Sequence, residues 1–235
     1  MEELFARCQS DLFCSEMLGI FAMAHILAWQ ATDSIDHARF CVPLMERRIP
    51  LLGKLQHFMT QGQAMCNLAG ILRSKGFERY SEAATWFQRA RDVGAAHGFF
   101  SLESSACIGL ALAAKDAGRH EEGVALLRNA LVAAELNELD DPVIELVALD
   151  GLIHALFQTN SIDEVGPLLL RYRGAAEDNP GCHYEISCLL FSARLHEVLC
   201  ICTTRLGTPD HDSVLASSTA IASVFHRLHR ARGKT

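Results

Sequence analysis

The sequence predicts an all-α protein built from repeated helix pairs, and three observations support this. Strong helix formers run in long stretches, because the 235 residues include only 6 prolines and 16 glycines. The composition is 50% hydrophobic but only 7% aromatic, which favours close helix–helix packing over a β-sheet core. A helix–turn–helix pattern also recurs about every 42 residues, as expected of a stacked helical array.

The first helix of each repeat is predicted from apolar segments that stop at a helix breaker. The breakers Gly76, Gly118 and Asn160 lie 42 residues apart. Glycine, or asparagine in its place, adopts the left-handed conformation that commonly ends a helix. The segment before each breaker has the apolar spacing of three, one and three that is typical of an amphipathic helix, as in Met65, Leu68, Ala69 and Leu72.

The second helix of each repeat is predicted from another apolar pattern, which occurs four times. Its first residues, Cys41, Ala83, Gly123 and Val165, follow one another at 42, 40 and 42 positions. Leu127 of the third copy and Phe87 of the second are predicted core anchors. Three local features predict helix starts: a capping box of Ser161 and Glu164, the pair Asp141-Pro142, and two prolines expected early in their helices, Pro43 and Pro167.

These patterns predict one domain over residues 1–235, with four to five repeats. The regular repeats span roughly residues 12–60, 62–100, 102–140 and 142–180, and an atypical helix pair follows over 182–230. Terminal repeats are commonly irregular because one of their faces meets water instead of a neighbouring repeat.

These residues resemble the tetratricopeptide repeat (TPR) family. The third repeat carries the family's signature spacing without insertion, through Leu110, Ala111, Gly118, His120, Gly123, Leu127 and Ala130. The second repeat is similar but carries two extra residues in its turn. The 42-residue period and the stretches at Pro43 and Pro167 are similar to the repeats of kinesin light chains and related adaptors. The resemblance covers roughly residues 20–180.

The resemblance implies an α-solenoid of antiparallel helix pairs, a right-handed superhelix whose first helices line a concave groove for a peptide or partner helix. Placing the repeats in register predicts seven polar groove residues: Gln30, Gln63, Arg73, Lys115, Asp150, His154 and Gln158. One subclass of the family uses Lys and Asn at groove positions to clamp a C-terminal carboxylate. The matching positions here hold neither residue, which argues against that subclass; they are Ile26, Gln30, Cys66, Gly70, Ile108, Leu112, Asp150 and His154.

Charge and composition limit the partners and the location. A net charge of −7 disfavours nucleic acid, because phosphate binding needs a basic surface. Glu2 and Glu3 stand where a secretory peptide would carry positive charge, and the apolar run from Met17 to Trp29 is too short to span a bilayer. We therefore expect a cytoplasmic protein with reduced cysteines and no membrane insertion. The apolar segment from Leu12 to Trp29 also allows pairing with a second copy as a homodimer.

No sequence pattern predicts catalysis, a cofactor or a metal ion. The sequence lacks a phosphate-binding glycine loop, an HExxH motif and a nucleophile elbow. The cysteines and histidines near Cys182 and Cys200 lack the paired spacing of zinc ligands, so packed thiols explain them better. The leading hypothesis is an interaction scaffold or adaptor that binds a protein or peptide in the groove. The alternative is a regulatory or sensor domain of a larger signalling or transcription-regulator protein.

Overall fold

The structure, a computed structural model, describes residues 10–32, 34–74, 76–136 and 142–178. The predicted C-terminal helix pair over 182–230 and the acidic residue Asp141 lie outside the described residues. The chain divides into two compact bodies, the first of residues 1–138 and the second of residues 139–235. Secondary structure in the described residues is helical, with no β-strand among them.

Six helices form the described part of the first body. They are α1 (Asp11–Thr32), α2 (Ile35–Lys54), α3 (Phe58–Arg73), α4 (Tyr80–His97), α5 (Phe100–Asp116) and α6 (His120–Glu135). Each helix packs against the next one along the chain, and α3 also contacts α5 directly. The first helices of the second and third predicted repeats are therefore neighbours.

Two helices and a short 3-10 turn form the described part of the second body. They are α7 (Pro142–Gln158), the turn Ile162–Glu164 and α8 (Val165–Asp178). Helix α7 packs against α8. Pro142 is the first residue of α7, as predicted, because proline at this position loses no hydrogen bond that the helix could make.

The predicted breakers all adopt the left-handed conformation. The φ angles are +94° at Gly76, +75° at Gly118 and +59° at Asn160. Each of these residues lies in the turn between a first and a second helix, so the 42-residue spacing correctly identified the turns.

The core of the first body consists of small and aliphatic side chains along the helix seams. Phe87 and Leu127 are 6% and 4% exposed, which confirms both predicted anchors. The helices approach closely where glycine removes a side chain. The Leu102 side chain of α5 occupies the position that a Cβ would take at Gly62 of α3, and the Gly94 position of α4 lies against the backbone of Glu103.

Two predicted helix starts are wrong. Pro43 lies inside α2, which begins eight residues earlier at Ile35, and Pro50 lies in the same helix. Both prolines are exposed, so water can hydrogen-bond the carbonyls that each proline leaves without a donor. The capping box does not form either: Ser161 precedes a 3-10 turn and makes no side-chain cap bond. Its Oγ lies 3.2 Å from Thr159 Oγ1 instead.

Candidate functional site

The adjacent helices α3 and α5 share an open face of small, polar and apolar residues, which we call the α3–α5 face. On α3 it consists of Gln63, Cys66, Asn67, Gly70 and Arg73, and on α5 of Ser101, Ser105, Ile108, Leu112 and Lys115. Spacings of three and four residues place each set on one side of its helix. All ten residues are partly or fully exposed, whereas Leu68 and Leu110 on the opposite sides are buried.

The middle of the α3–α5 face is open at Gly70. A Cβ built on Gly70 would meet no other atom within 4 Å. The exposed side chain of Asn67 lies one turn from Gly70 along α3, and the neighbouring α5 carries the exposed Ser105. Amide and hydroxyl groups of this kind can donate and accept hydrogen bonds with a peptide backbone. The face therefore offers room and polar groups together.

The predicted groove residues Gln63, Arg73 and Lys115 all lie on the α3–α5 face. Arg73, however, forms an ion pair: its Nη1 lies 2.7 Å from Asp116 Oδ2, with the two side chains 30% and 27% exposed. Asp116 compensates the Arg73 charge, which leaves Lys115 as the face's uncompensated cation, since it makes no ion pair with any residue that the structure describes.

The predicted groove residue Gln30 lies apart from this face, near the end of α1, where it is exposed. The seven predicted residues thus divide among α1, the α3–α5 face and α7. Their common groove stays a prediction.

The other three predicted residues, Asp150, His154 and Gln158, form a row on successive turns of α7. Tyr172 of α8 donates a hydrogen bond from its hydroxyl to Asp150 Oδ1 at 3.1 Å. Gln158 Nε2 lies 3.3 Å from His154 Nε2. The Tyr172 bond joins Asp150 to the second helix of its own pair, so this carboxylate helps to hold α7 against α8.

Sequence reasoning missed Asp116 and Tyr172, the partners of two predicted residues. Asp116 directly follows the predicted Lys115, and a carboxylate at the end of a first helix is within reach of the neighbouring first helix. Tyr172 is fully buried, and a buried tyrosine hydroxyl usually has a partner. The burial of Tyr172 could have been predicted from the sequence, because this residue ends the fourth copy of the apolar second-helix pattern.

Two of the described cysteines, Cys41 and Cys107, are fully packed thiols, whereas Cys14 and Cys66 are partly exposed. Cys41 and Cys107 are 0% and 1% exposed. Burial raises the pKa of Cys41 to about 11 and that of the partly buried Cys66 to about 12. Burial also raises the pKa of Cys107, although the nearby Arg91 acts in the opposite direction. A thiol with a raised pKa is a poor nucleophile at neutral pH.

No cluster of three or more potential ligands is placed to hold a metal ion in the described ranges. The cysteines and histidines around Cys182 and Cys200 lie outside those ranges. His25 and His37 form a pair with their Nδ1 atoms 3.1 Å apart, a distance that suits a hydrogen bond between a donor ring and an acceptor ring.

Comparison with known proteins decides the fold. The chain is similar to the crystal structure of BtubC (BKLC) from P. vanneervenii, with 11% identity, a TM-score of 0.55, and coverage of 97% of this chain and 94% of that one. It is also similar to the nearly identical TPR-like repeats of a putative kinesin light chain from Podospora anserina. That match has 14% identity, a TM-score of 0.57, and coverage of 95% and 100%. The fold is that of TPR-like helical repeats.

This result confirms the predicted resemblance and the all-α fold class. The TPR-like fold of kinesin light chain type is shared at 11% and 14% identity, so the likeness is one of architecture. No protein-family model and no curated protein matches the chain by sequence.

Proposed function

We propose that this TPR-like chain is a protein-interaction scaffold whose α3–α5 face binds a peptide or helix of another protein. One observation carries the proposal: two neighbouring first helices expose a continuous face that includes the open position Gly70. A fold of this kind hosts many unrelated roles, so it is the α3–α5 face, and not the fold, that supports this binding role.

The chemistry of the face indicates the kind of segment that would fit. Ile108 and Leu112 are partly exposed and offer apolar contact on α5. Gln63 and Asn67 offer amide groups on α3 that can pair with a peptide backbone. We infer a ligand segment that combines apolar side chains with an acidic one, and we place the acid beside Lys115.

The same considerations favour binding over catalysis. Burial raises the pKa of the Cys41, Cys66 and Cys107 thiols, and the face carries no nucleophile paired with a base. We propose that the chain acts without a cofactor in the cytoplasm, and the net charge of −7 supports a protein rather than a nucleic acid as its partner.

Site-specific photo-crosslinking tests the proposal. A photoreactive amino acid at Asn67 or Ser105 should capture a partner in cell extract. The same amino acid at the exposed second-helix residues Thr85 and Asn129 provides the matched control. Adducts found at the first-helix positions only would support the α3–α5 face. Adducts of equal yield at all four positions, or at the control positions alone, would overturn it.

The captured segment then allows a quantitative test with purified components. Lys115→Glu should weaken binding of a synthetic peptide with the captured sequence by about tenfold, because it places a like charge beside the peptide's acid. Arg128→Glu on α6 introduces the same charge change at an exposed residue outside the face. Equal affinities of the two variants would contradict the proposed role of Lys115.

A further inference from the structure

Helix α1 exposes an unusual amount of apolar surface. Of the ten large apolar side chains that are exposed in the described residues, five lie on this one helix. They are Leu12, Phe13, Ile20, Met23 and Leu27, which are between 48% and 61% exposed. A contiguous apolar surface of this kind in a globular protein usually marks an interaction site.

The opposite side of α1 already has a partner within the first body. Leu18 and Ala22 are buried against α2, where the Cys41 thiol lies 3.5 Å from the Ala22 carbonyl oxygen. The Arg48 guanidinium of α2 covers Gly19. Helix α1 is thus apolar on two sides, one packed and one exposed, and a helix that is apolar all round is normally covered all round.

The spacing of the exposed side chains identifies the kind of occupant. Phe13, Glu16, Ile20, Met23 and Leu27 follow one another at intervals of three, four, three and four residues. This 3.5-residue period is the pattern with which one helix packs lengthwise along another. A second α-helix therefore fits this face better than an extended strand does.

The distribution of charge indicates that this helix is α1 of a second copy, in antiparallel orientation. Ile20 is the midpoint of the pattern, with Phe13 seven residues before it and Leu27 seven residues after it. A two-fold axis at Ile20 would place Phe13 of one copy beside Leu27 of the other. Phe13, Ile20 and Leu27 are therefore a self-complementary set, as an isologous dimer requires.

The acidic residues of α1 disfavour the parallel arrangement. Asp11 and Glu16 precede Ile20, whereas residues 20–32 contain no acid. A parallel pair would bring Glu16 against Glu16 within the apolar contact, where like charges repel. An antiparallel pair instead places Glu16 beside the small residue Ala24 and sets the acidic half of each helix along the neutral half of its partner.

We propose that two copies of this chain associate through the exposed faces of their α1 helices, packed antiparallel about Ile20. The contact leaves the α3–α5 face outside the seam, so it is independent of the proposed peptide binding. A single helix pair is small compared with the roughly 800 Å² per partner of a standard interface, so the dimer should dissociate on dilution.

Molar mass in solution tests the association. At about 100 µM, where a micromolar dissociation constant leaves most chains paired, wild type should show twice the 25.8 kDa chain mass. Ile20→Glu should weaken pairing at least about tenfold by placing charge in the seam. Val132→Glu on α6, where the wild-type side chain is 56% exposed, is the matched control and should remain dimeric. All three proteins should melt alike at a concentration low enough to dissociate the dimer, because pairing itself raises the melting temperature.

Three results would overturn the proposal: a monomeric wild type, an Ile20→Glu variant whose dissociation constant in a dilution series equals that of wild type, or dissociation of the Val132→Glu control. A wild-type chain that stays monomeric but floats with phosphatidylcholine vesicles would likewise overturn it. That last outcome matters because α1 is the one described helix that is long and apolar enough to cross a bilayer, a property that core helices share.

The orientation has a separate test. A photoreactive amino acid at Phe13, in a mixture of unlabelled and isotope-labelled chains, should crosslink between copies to residues around Leu27. Crosslinks between copies that instead centre on Phe13 would show a parallel pair and overturn the proposed arrangement.

Discussion

Arg73 of α3 and Asp116 of α5 form an ion pair 2.7 Å long that joins the ends of two neighbouring first helices. Both side chains are about one-quarter to one-third exposed, so water screens their attraction. The pair therefore matters less for stability than for the charge that the α3–α5 face presents, since it neutralises one of two adjacent cations.

Asp116→Asn should release the Arg73 charge without unfolding the protein. We expect a change below about 1 kcal/mol in the free energy of unfolding, because partly exposed ion pairs contribute little. Binding of an acidic peptide to the α3–α5 face should strengthen, and added salt should diminish the gain. Urea denaturation and peptide titration at two salt concentrations measure both effects. A loss of several kcal/mol would mean that the pair is structural.

Gly109→Ala should destabilise the first body, whereas Gly70→Ala should not. A Cβ at Gly109 of α5 would overlap the Phe87 ring of α4. Overpacking of this kind typically costs about 1–3 kcal/mol. A Cβ at Gly70 meets open space, so alanine there should stabilise α3 by roughly 0.5–1 kcal/mol. Thermal melts of the two variants should move in opposite directions, and equal shifts would contradict the described packing.

Leu127→Ala should cost about 2–5 kcal/mol, because it leaves a cavity at a side chain that is only 4% exposed. Val132→Ala on the same helix removes apolar atoms from a side chain that is 56% exposed and serves as the control. Chemical denaturation should separate the two variants clearly. A small loss for Leu127→Ala would show that α6 is rotated relative to its described position.

The raised pKa values of Cys41 and Cys66 predict slow alkylation and a loss of stability at high pH. The folded chain holds these thiol protons more tightly than the unfolded chain, for which the pKa is 9.0. Their stabilising contribution is therefore complete below pH 9 and declines as pH rises through about 11 for Cys41 and about 12 for Cys66.

Alkylation at pH 8 followed by mass spectrometry checks the slower reaction. Native Cys41 should react about a hundredfold more slowly than in the unfolded chain, because the thiolate is the attacking species and its pKa is about two units higher. The unfolded chain in denaturant supplies the reference rate for the same residue. Native and unfolded rates of similar size would contradict the burial of this thiol.

The sequence was sufficient to predict the helix pairs but not the contacts between their polar side chains. Periodic apolar residues determine which side of a helix is buried, and Gly76, Gly118 and Asn160 marked the turns correctly. Whether Arg73 meets Asp116 depends on the crossing and offset of two helices, which no local pattern encodes. The hydrogen bond between Tyr172 and Asp150 also joins two helices, so it could not be predicted for the same reason.

The two wrong helix starts have a local explanation. A proline usually indicates a nearby helix start. An exposed proline such as Pro43 is nevertheless tolerated inside a helix when the residues on both sides of it are buried in the core. Buried Ala38, Cys41 and Met45 on both sides of Pro43 meet that condition. At Ser161, a capping box requires extended backbone, and the residue instead has φ −90° and ψ 59°.

The close approach at Gly94 has a consequence for how such a chain can change. The backbone of Glu103 occupies space that any larger residue at Gly94 would need. The second and third helix pairs are therefore sterically complementary at this contact, so each pair fits its own neighbour specifically. If one helix pair were duplicated or exchanged, the glycine at position 94 and the helix whose backbone packs against it would have to be transferred together. This requirement limits how the array can lengthen by recombination.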